Sequence, residues 1–121
     1  MRILTSSISN TPALADNQIR KGIVIVDITI KSACENGFIF APTWELVNDY
    51  KSGKISEDIY TKLYLKLINR RWSIITEHTK NKLSDMNAIL VCYCPSGTFC
   101  HRYIAADFLV KNMNAVYYGE R

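Results

Sequence analysis

Ala88-Ile89-Leu90-Val91-Cys92-Tyr93-Cys94, then Pro95-Ser96-Gly97-Thr98-Phe99, then Cys100-His101-Arg102, sets the architecture of this chain. The apolar run predicts a strand from Ala88 to Cys94. Pro95 and Gly97 then break it, and an amphipathic segment predicts a helix from Thr98 to Asn112. Such a strand-to-helix junction gathers free backbone N–H groups, the positive end of a helix dipole, a thiol, an imidazole and a guanidinium.

Working outward, three more runs read as strands: Arg2 to Thr5, Gly22 to Thr29, and Ala115 to Tyr118. The second is nearly all aliphatic, interrupted only near its end by Asp27, which suits a parallel strand covered on both faces. Helical patterns lie between these runs. Asn10 or Thr11 caps the first, with Pro12 in its first position and Gly22 beyond its end. Another covers Thr43 to Lys51. The longest starts at Ser56, with Glu57 and Asp58 in its dipole-favoured first turn. Its apolar stripe is Tyr60, Leu63, Tyr64, Leu67, Ile68 and Ile75, and His78 falls near its end as a surface or capping residue.

Strands separated by helices predict a single α/β domain over residues 1–121, with a mainly parallel four-stranded sheet between helices in a three-layer, Rossmann-like arrangement. Ligands in such sheets bind beyond the carboxyl ends of the strands. That edge would collect Ser6, Ser7, Asp27, the turn after Cys94, and Glu120. The irregular stretch from Lys31 to Pro42 could cover it, since long loops in small domains usually serve a function. Trp44 or Tyr50 could supply an aromatic wall, although ordinary helix packing is the expectation for Trp44.

Composition narrows the partners. At 121 residues, with 48% apolar and 21% charged residues, the chain is long enough to bury a core and ordinary for a globular protein. A net charge of +4 suits anionic ligands without demanding nucleic acid. Lys62, Lys66, Arg70, Arg71, Lys80 and Lys82 are explained more simply as a solvated helix face than as a nucleic-acid contact. No apolar run approaches a membrane span, and Met1 to Ser7 lacks the core of a secretory signal, so a cytoplasmic location and no membrane partner are expected. The cysteines Cys34, Cys92, Cys94 and Cys100 are then expected as thiols in a reducing compartment.

The junction suggests its own chemistry. Gly97 permits a tight turn, and Ser96 or Thr98 can cap the helix, leaving N–H groups for a phosphate or carboxylate. Arg102 would hold the same anion with two donors. Cys100, placed in the first helical turn, would have a lowered pKa and act as nucleophile; its alternative is a small buried apolar residue. His101 would be an acid–base group, or an imidazole fixed by a backbone carbonyl. Cys92, Cys94, Cys100 and His101 are also zinc-type ligands. On a strand, however, Cys92 would sit roughly 6 to 7 Å from Cys94, so no metal is expected.

The chain resembles domain-of-unknown-function family 488. The likeness rests on Phe40-Ala41-Pro42-Thr43-Trp44-Glu45-Leu46, on Tyr50-Lys51 and Tyr60, and most distinctively on Leu90-Val91-Cys92-Tyr93 through Phe99-Cys100-His101-Arg102, continued by Ala105 to Leu109. Cys94-Pro95-Ser96 departs from the acidic or lysine-containing turn usual there. The resemblance implies an α/β fold and a role for Phe99 to Arg102, and no substrate. The spacing between cysteine and Arg102 does not match the phosphate loop of protein tyrosine phosphatases and rhodaneses.

The expectation is therefore a small protein that binds a phosphorylated small molecule or nucleic-acid component without a cofactor. Ser6, Asp27, Tyr50, Ser96, Gly97, Thr98 and Glu120 would contact the ligand. Cys100, His101 and Arg102 would carry any catalysis. A non-enzymatic anion- or nucleic-acid-binding module and a Cys/His zinc site are the alternatives.

Overall fold

Four apolar runs become β1 (Arg2–Ser7), β2 (Val24–Asp27), β3 (Ala88–Cys92) and β4 (Val116–Glu120). In the computed structural model, which describes residues 1–7, 22–31, 33, 37–95 and 97–121, they form one parallel sheet in the order β2-β3-β1-β4. The helix expected from Asn10 or Thr11, and the residues Cys34 and Ser96, lie outside the described residues. β3 is buried at every position, between β1 and β2. Its register pairs Cys92 with Ser7 and Val91 with both Ser6 and Asp27, so three strands end together at one edge.

Both faces of the sheet are apolar, as in a three-layer arrangement. Ile3, Val26 and Leu90 pack with Tyr64, Ile68, Ala105 and Leu109 from the helices. On the opposite face, Leu4, Ile89 and Val91 form a smaller cluster with Ile23 and Ile25. The expected α/β class with a parallel sheet is what the chain adopts.

Among the described residues there are four helices: α1 (Trp44–Lys51), α2 (Glu57–Ile74), α3 (Glu77–Ser84) and α4 (His101–Met113). The side-chain oxygens of Thr43, Ser56 and Thr76 accept the backbone N–H groups of Leu46, Ile59 and Thr79 at the starts of the first three. Each such cap contributes about 1 kcal/mol.

Three expectations change here. The long helix ends at Ile74, because Ile75 turns extended and Thr76 caps a separate helix that carries His78. The last helix begins three residues later than Thr98, because the Thr98 hydroxyl folds back onto the Pro95 carbonyl at 2.6 Å and Cys100 is extended (φ −156°, ψ 148°). Leu63, expected in the buried stripe of α2, is exposed.

The stretch before α1 is anchored rather than loose. A 3-10 turn at Phe38–Phe40 follows Gly37, where a Cβ would collide with the Asp27 carbonyl. Arg71 donates to the carbonyls of Phe38, Ile39 and Ala41 at 2.9, 3.0 and 2.6 Å, and its guanidinium lies over the Phe38 ring. The buried Tyr64 hydroxyl donates to the Phe40 carbonyl at 2.6 Å. Arg71 thus works within the fold and not on a solvated face. Among the described residues, no helix is long and apolar enough to cross a membrane.

Candidate functional site

A cleft of about 290 Å³ opens beyond the carboxyl ends of β2 and β3. The segment after β2 contributes Thr29, Ile30 and Lys31; the segment after β3 contributes Tyr93, Cys94, Phe99, Cys100 and His101. Pro42, with Trp44, Val47, Tyr50 and Lys51 of α1 and Tyr60 of α2, completes the lining. Tyr60, Cys100 and His101 are buried, whereas Trp44, Tyr93, Lys31 and Lys51 are exposed, so the cleft runs from a basic, aromatic mouth to a sulfur- and imidazole-bearing end. Tyr50, Tyr60 and Phe99 meet edge-on or tilted, with centroids 5.1 to 5.5 Å apart, and form one rigid aromatic wall.

The buried end is organised by where β3 stops. The strand ends at Cys92 and the chain bends at Tyr93 and Cys94, so the separation expected along a continuing strand does not arise. The sulfur atoms of Cys92, Cys94 and Cys100 instead lie within 4.8 Å of one another, with Cys92 and Cys100 2.6 Å apart. All three are free. Cys94 is the most accessible of them.

This clustering inverts the expected electrostatics. Hydrogen bonding to Cys92, then to Cys94, together with burial, pushes the Cys100 thiol up. The Cys94 thiol moves down, because Cys100 and Cys92 hydrogen-bond to its sulfur and the charges of Arg102 and Lys51 favour its thiolate. Cys100 caps α4 by position and does not sit inside its first turn.

His101 is fixed in one tautomer. Its Nε2 lies 2.8 Å from the Ile28 carbonyl, which can only accept, so Nε2 carries the proton. Nδ1 then presents a lone pair to the Cys100 sulfur at 3.6 Å. The ring also stands edge-on to Tyr64, and burial holds its pKa below the ordinary histidine value. His101 is thus the carbonyl-fixed imidazole, with its other ring nitrogen facing a thiol in the cleft.

Arg102 does not line the cleft. Nε and Nη2 engage both oxygens of Glu120 at 3.2 and 2.7 Å. Nη1 donates to the Cys92 sulfur at 2.9 Å and the Cys94 carbonyl at 3.0 Å. Nη2 also reaches the Pro95 carbonyl and the Tyr103 hydroxyl. The side chain is fully buried, and its donors hold the turn after β3 against β4.

Of the residues expected from sequence to contact the ligand or carry catalysis, the cleft brings together Tyr50, Cys100 and His101, and Trp44, offered as an aromatic wall, lines it too. Asp27 accepts from the backbone N–H and hydroxyl of Thr29 at 2.9 and 2.7 Å, closing the end of β2. The Ser6 hydroxyl, fully buried, donates to the Ser7 and Arg121 carbonyls. Gly97 sits in the turn with φ 83°, its N–H directed at the Tyr103 hydroxyl, and Thr98 closes the same turn. None of these four, nor Glu120, lines the cleft. Cys94, considered from sequence only as a zinc-type ligand, also lines the cleft, as do Tyr60, Phe99, Lys31 and Lys51; the bend after Cys92, invisible to a strand reading, is what brings Cys94 there. Trp44, expected to pack, is 52% exposed at the mouth.

No curated protein and no solved structure matches the chain. A family model described as the Active DUF488-N3 subclade matches residues 39–113, more than half of the chain, and covers α1 to α4 with the cleft-forming segment after β3. The chain therefore belongs to the DUF488 family.

Proposed function

We propose that the cleft binds a nucleotide or a nucleotide-sized nucleic-acid component, and that chemistry on it is carried out by the cysteine cluster and His101. The observation that carries this reading is the gradient along the cleft: exposed lysines and aromatic rings at the mouth, sulfur and a neutral imidazole at the buried end. Trp44, Tyr50 and Phe99 all line the cleft and would offer ring faces to a planar base, where stacking contributes about 1–3 kcal/mol per base. Lys31 and Lys51 suit a phosphate at the mouth. The volume, about 290 Å³, matches a small ligand and not a polymer segment.

The description of the matched subclade as active supports chemistry over passive binding. Arg102 enters this reading as a positioning residue, since its donors are directed at Glu120, Cys92 and the turn after β3.

Titration of the full chain with nucleoside monophosphates, free nucleosides and inorganic phosphate, followed by tryptophan fluorescence, tests the reading. The expected result is saturable quenching by a monophosphate, weaker quenching by its nucleoside, and none by phosphate alone. Lys51→Ala should erase the difference between monophosphate and nucleoside. Equal responses to phosphate and monophosphate, or no response to any nucleotide, would overturn the proposal.

A further inference from the structure

We infer that Cys92, Cys94 and Cys100 form a binding site for a soft divalent cation, zinc by its ligand chemistry, at the buried end of the cleft. Three free sulfur atoms drawn from two separate segments converge within 4.8 Å of one another. Sulfurs sharing a zinc ion at about 2.3 Å from each lie about 3.8 Å apart in tetrahedral geometry, so this spread matches a common ion. Cys92 and Cys100, now 2.6 Å apart, would separate by about 1 Å on binding. Isolated buried thiols gain little from such crowding; a cation held between them gains three ligands at once.

The surroundings suit thiolates on a metal. The Arg102 guanidinium donates to the Cys92 sulfur at 2.9 Å, which offsets part of the negative charge that three thiolates leave on a divalent ion. The same guanidinium is locked by Glu120, so its position does not depend on the ion. Cys94 and Cys100 line the cleft while Cys92 lies behind them. An ion shared by all three would therefore have protein sulfur on one side and the cleft on the other. Three protein ligands with a remaining position toward a ligand cleft is the pattern of catalytic rather than structural zinc.

The site specifically needs Cys94. Without it, Cys92 and Cys100 offer only two of the three converging sulfurs, too few to leave a cation held from the protein side. The inference shares the cleft with the nucleotide reading, but it is measured without any nucleotide, so either can fail alone.

The test uses the full chain, reduced with a phosphine, stripped with a chelator and exchanged into metal-free buffer. Cobalt(II) should give a thiolate-to-cobalt charge-transfer band that saturates at one equivalent and is displaced by zinc. Cys94→Ser keeps a half-exposed position polar and should fold, as circular dichroism will show. It should weaken zinc binding by more than about 100-fold, beyond the loss typical of an outer partner. No charge-transfer band in reduced wild-type protein would overturn the inference, as would equal zinc affinity in Cys94→Ser.

Discussion

Arg102 and Glu120 form a two-point ion pair, Nε to Oε1 at 3.2 Å and Nη2 to Oε2 at 2.7 Å, that fastens the first turn of α4 to the last residue of β4. The same guanidinium reaches the Cys94 and Pro95 carbonyls. One buried side chain thereby joins the edge strand, the helix start and the turn that presents Cys94 to the cleft.

Arg102→Leu should therefore destabilise the fold by about 3–5 kcal/mol, the range for removing one partner of a buried pair. Glu120→Gln acts on the more exposed side (22% against 0%) and should cost less. Urea denaturation of both variants checks this. A loss under about 1 kcal/mol for Arg102→Leu would show that the pair does not hold these elements together.

Tyr64→Phe removes the hydroxyl that donates to the buried Phe40 carbonyl at 2.6 Å. The carbonyl then loses a partner with no access to bulk water, at a cost of about 1–3 kcal/mol. Because the 3-10 turn leads directly into Pro42 and Trp44 of the cleft, the variant should also loosen the cleft's outer wall. Denaturation midpoint and amide exchange near Phe40 measure the two effects.

The strands were legible because Ile89, Leu90 and Val91 are apolar without interruption, and the starts of α1 and α2 because Thr43 and Ser56 are capping residues followed by acids. What remained hidden depended on partners distant in sequence. Arg71 resembles any basic residue on a helix face until Phe38, Ile39 and Ala41, more than two dozen positions away, offer it their carbonyls. Arg102 reads as an anion clamp until Glu120 arrives on the edge strand. Cys94 differs for a local reason: the apolar run continues through Tyr93 to Cys94, but the backbone stops pairing at Cys92. Residue type identified the neighbourhood of the site, and direction had to come from the fold.

His101 should make stability sensitive to mild acid. Burial holds its pKa below the ordinary value of 6.5 that applies in the unfolded chain. As pH falls through that unfolded value, the unfolded state takes up a proton that the folded state does not, so stability is lost progressively toward the folded pKa and is intact at neutral pH. Melting temperatures from pH 7.5 to about 5, measured with chelator present so that cation release does not contribute, should fall more steeply in wild type than in His101→Gln. Parallel curves would show that the imidazole is not the group responsible.

Among Cys92, Cys94 and Cys100, Cys94 should be the first to react with iodoacetamide in metal-free protein. It is the accessible member of the cluster, whereas Cys92 and Cys100 are 1% and 3% exposed. Its thiolate is favoured by the neighbouring thiols and cations, so its rate should change little between mildly acidic and neutral pH, unlike an ordinary thiol, whose rate climbs as it ionises. Peptide mass spectrometry of partly alkylated protein identifies the site. Initial modification at Cys100 would contradict the arrangement described here.

Trp44 separates packing from binding. It stands at the first position of α1, half exposed, against the cleft mouth. Truncating an exposed side chain alters stability by about 0.5 kcal/mol or less, while losing a stacking face costs roughly 1–3 kcal/mol of ligand affinity. Trp44→Ala should thus leave the urea midpoint nearly unchanged and weaken nucleoside monophosphate binding by about tenfold or more. Because the variant loses the nearest fluorophore, calorimetry is the suitable readout. A variant that unfolds more readily yet binds as well as wild type would make Trp44 a packing residue and would remove one wall from the proposed site.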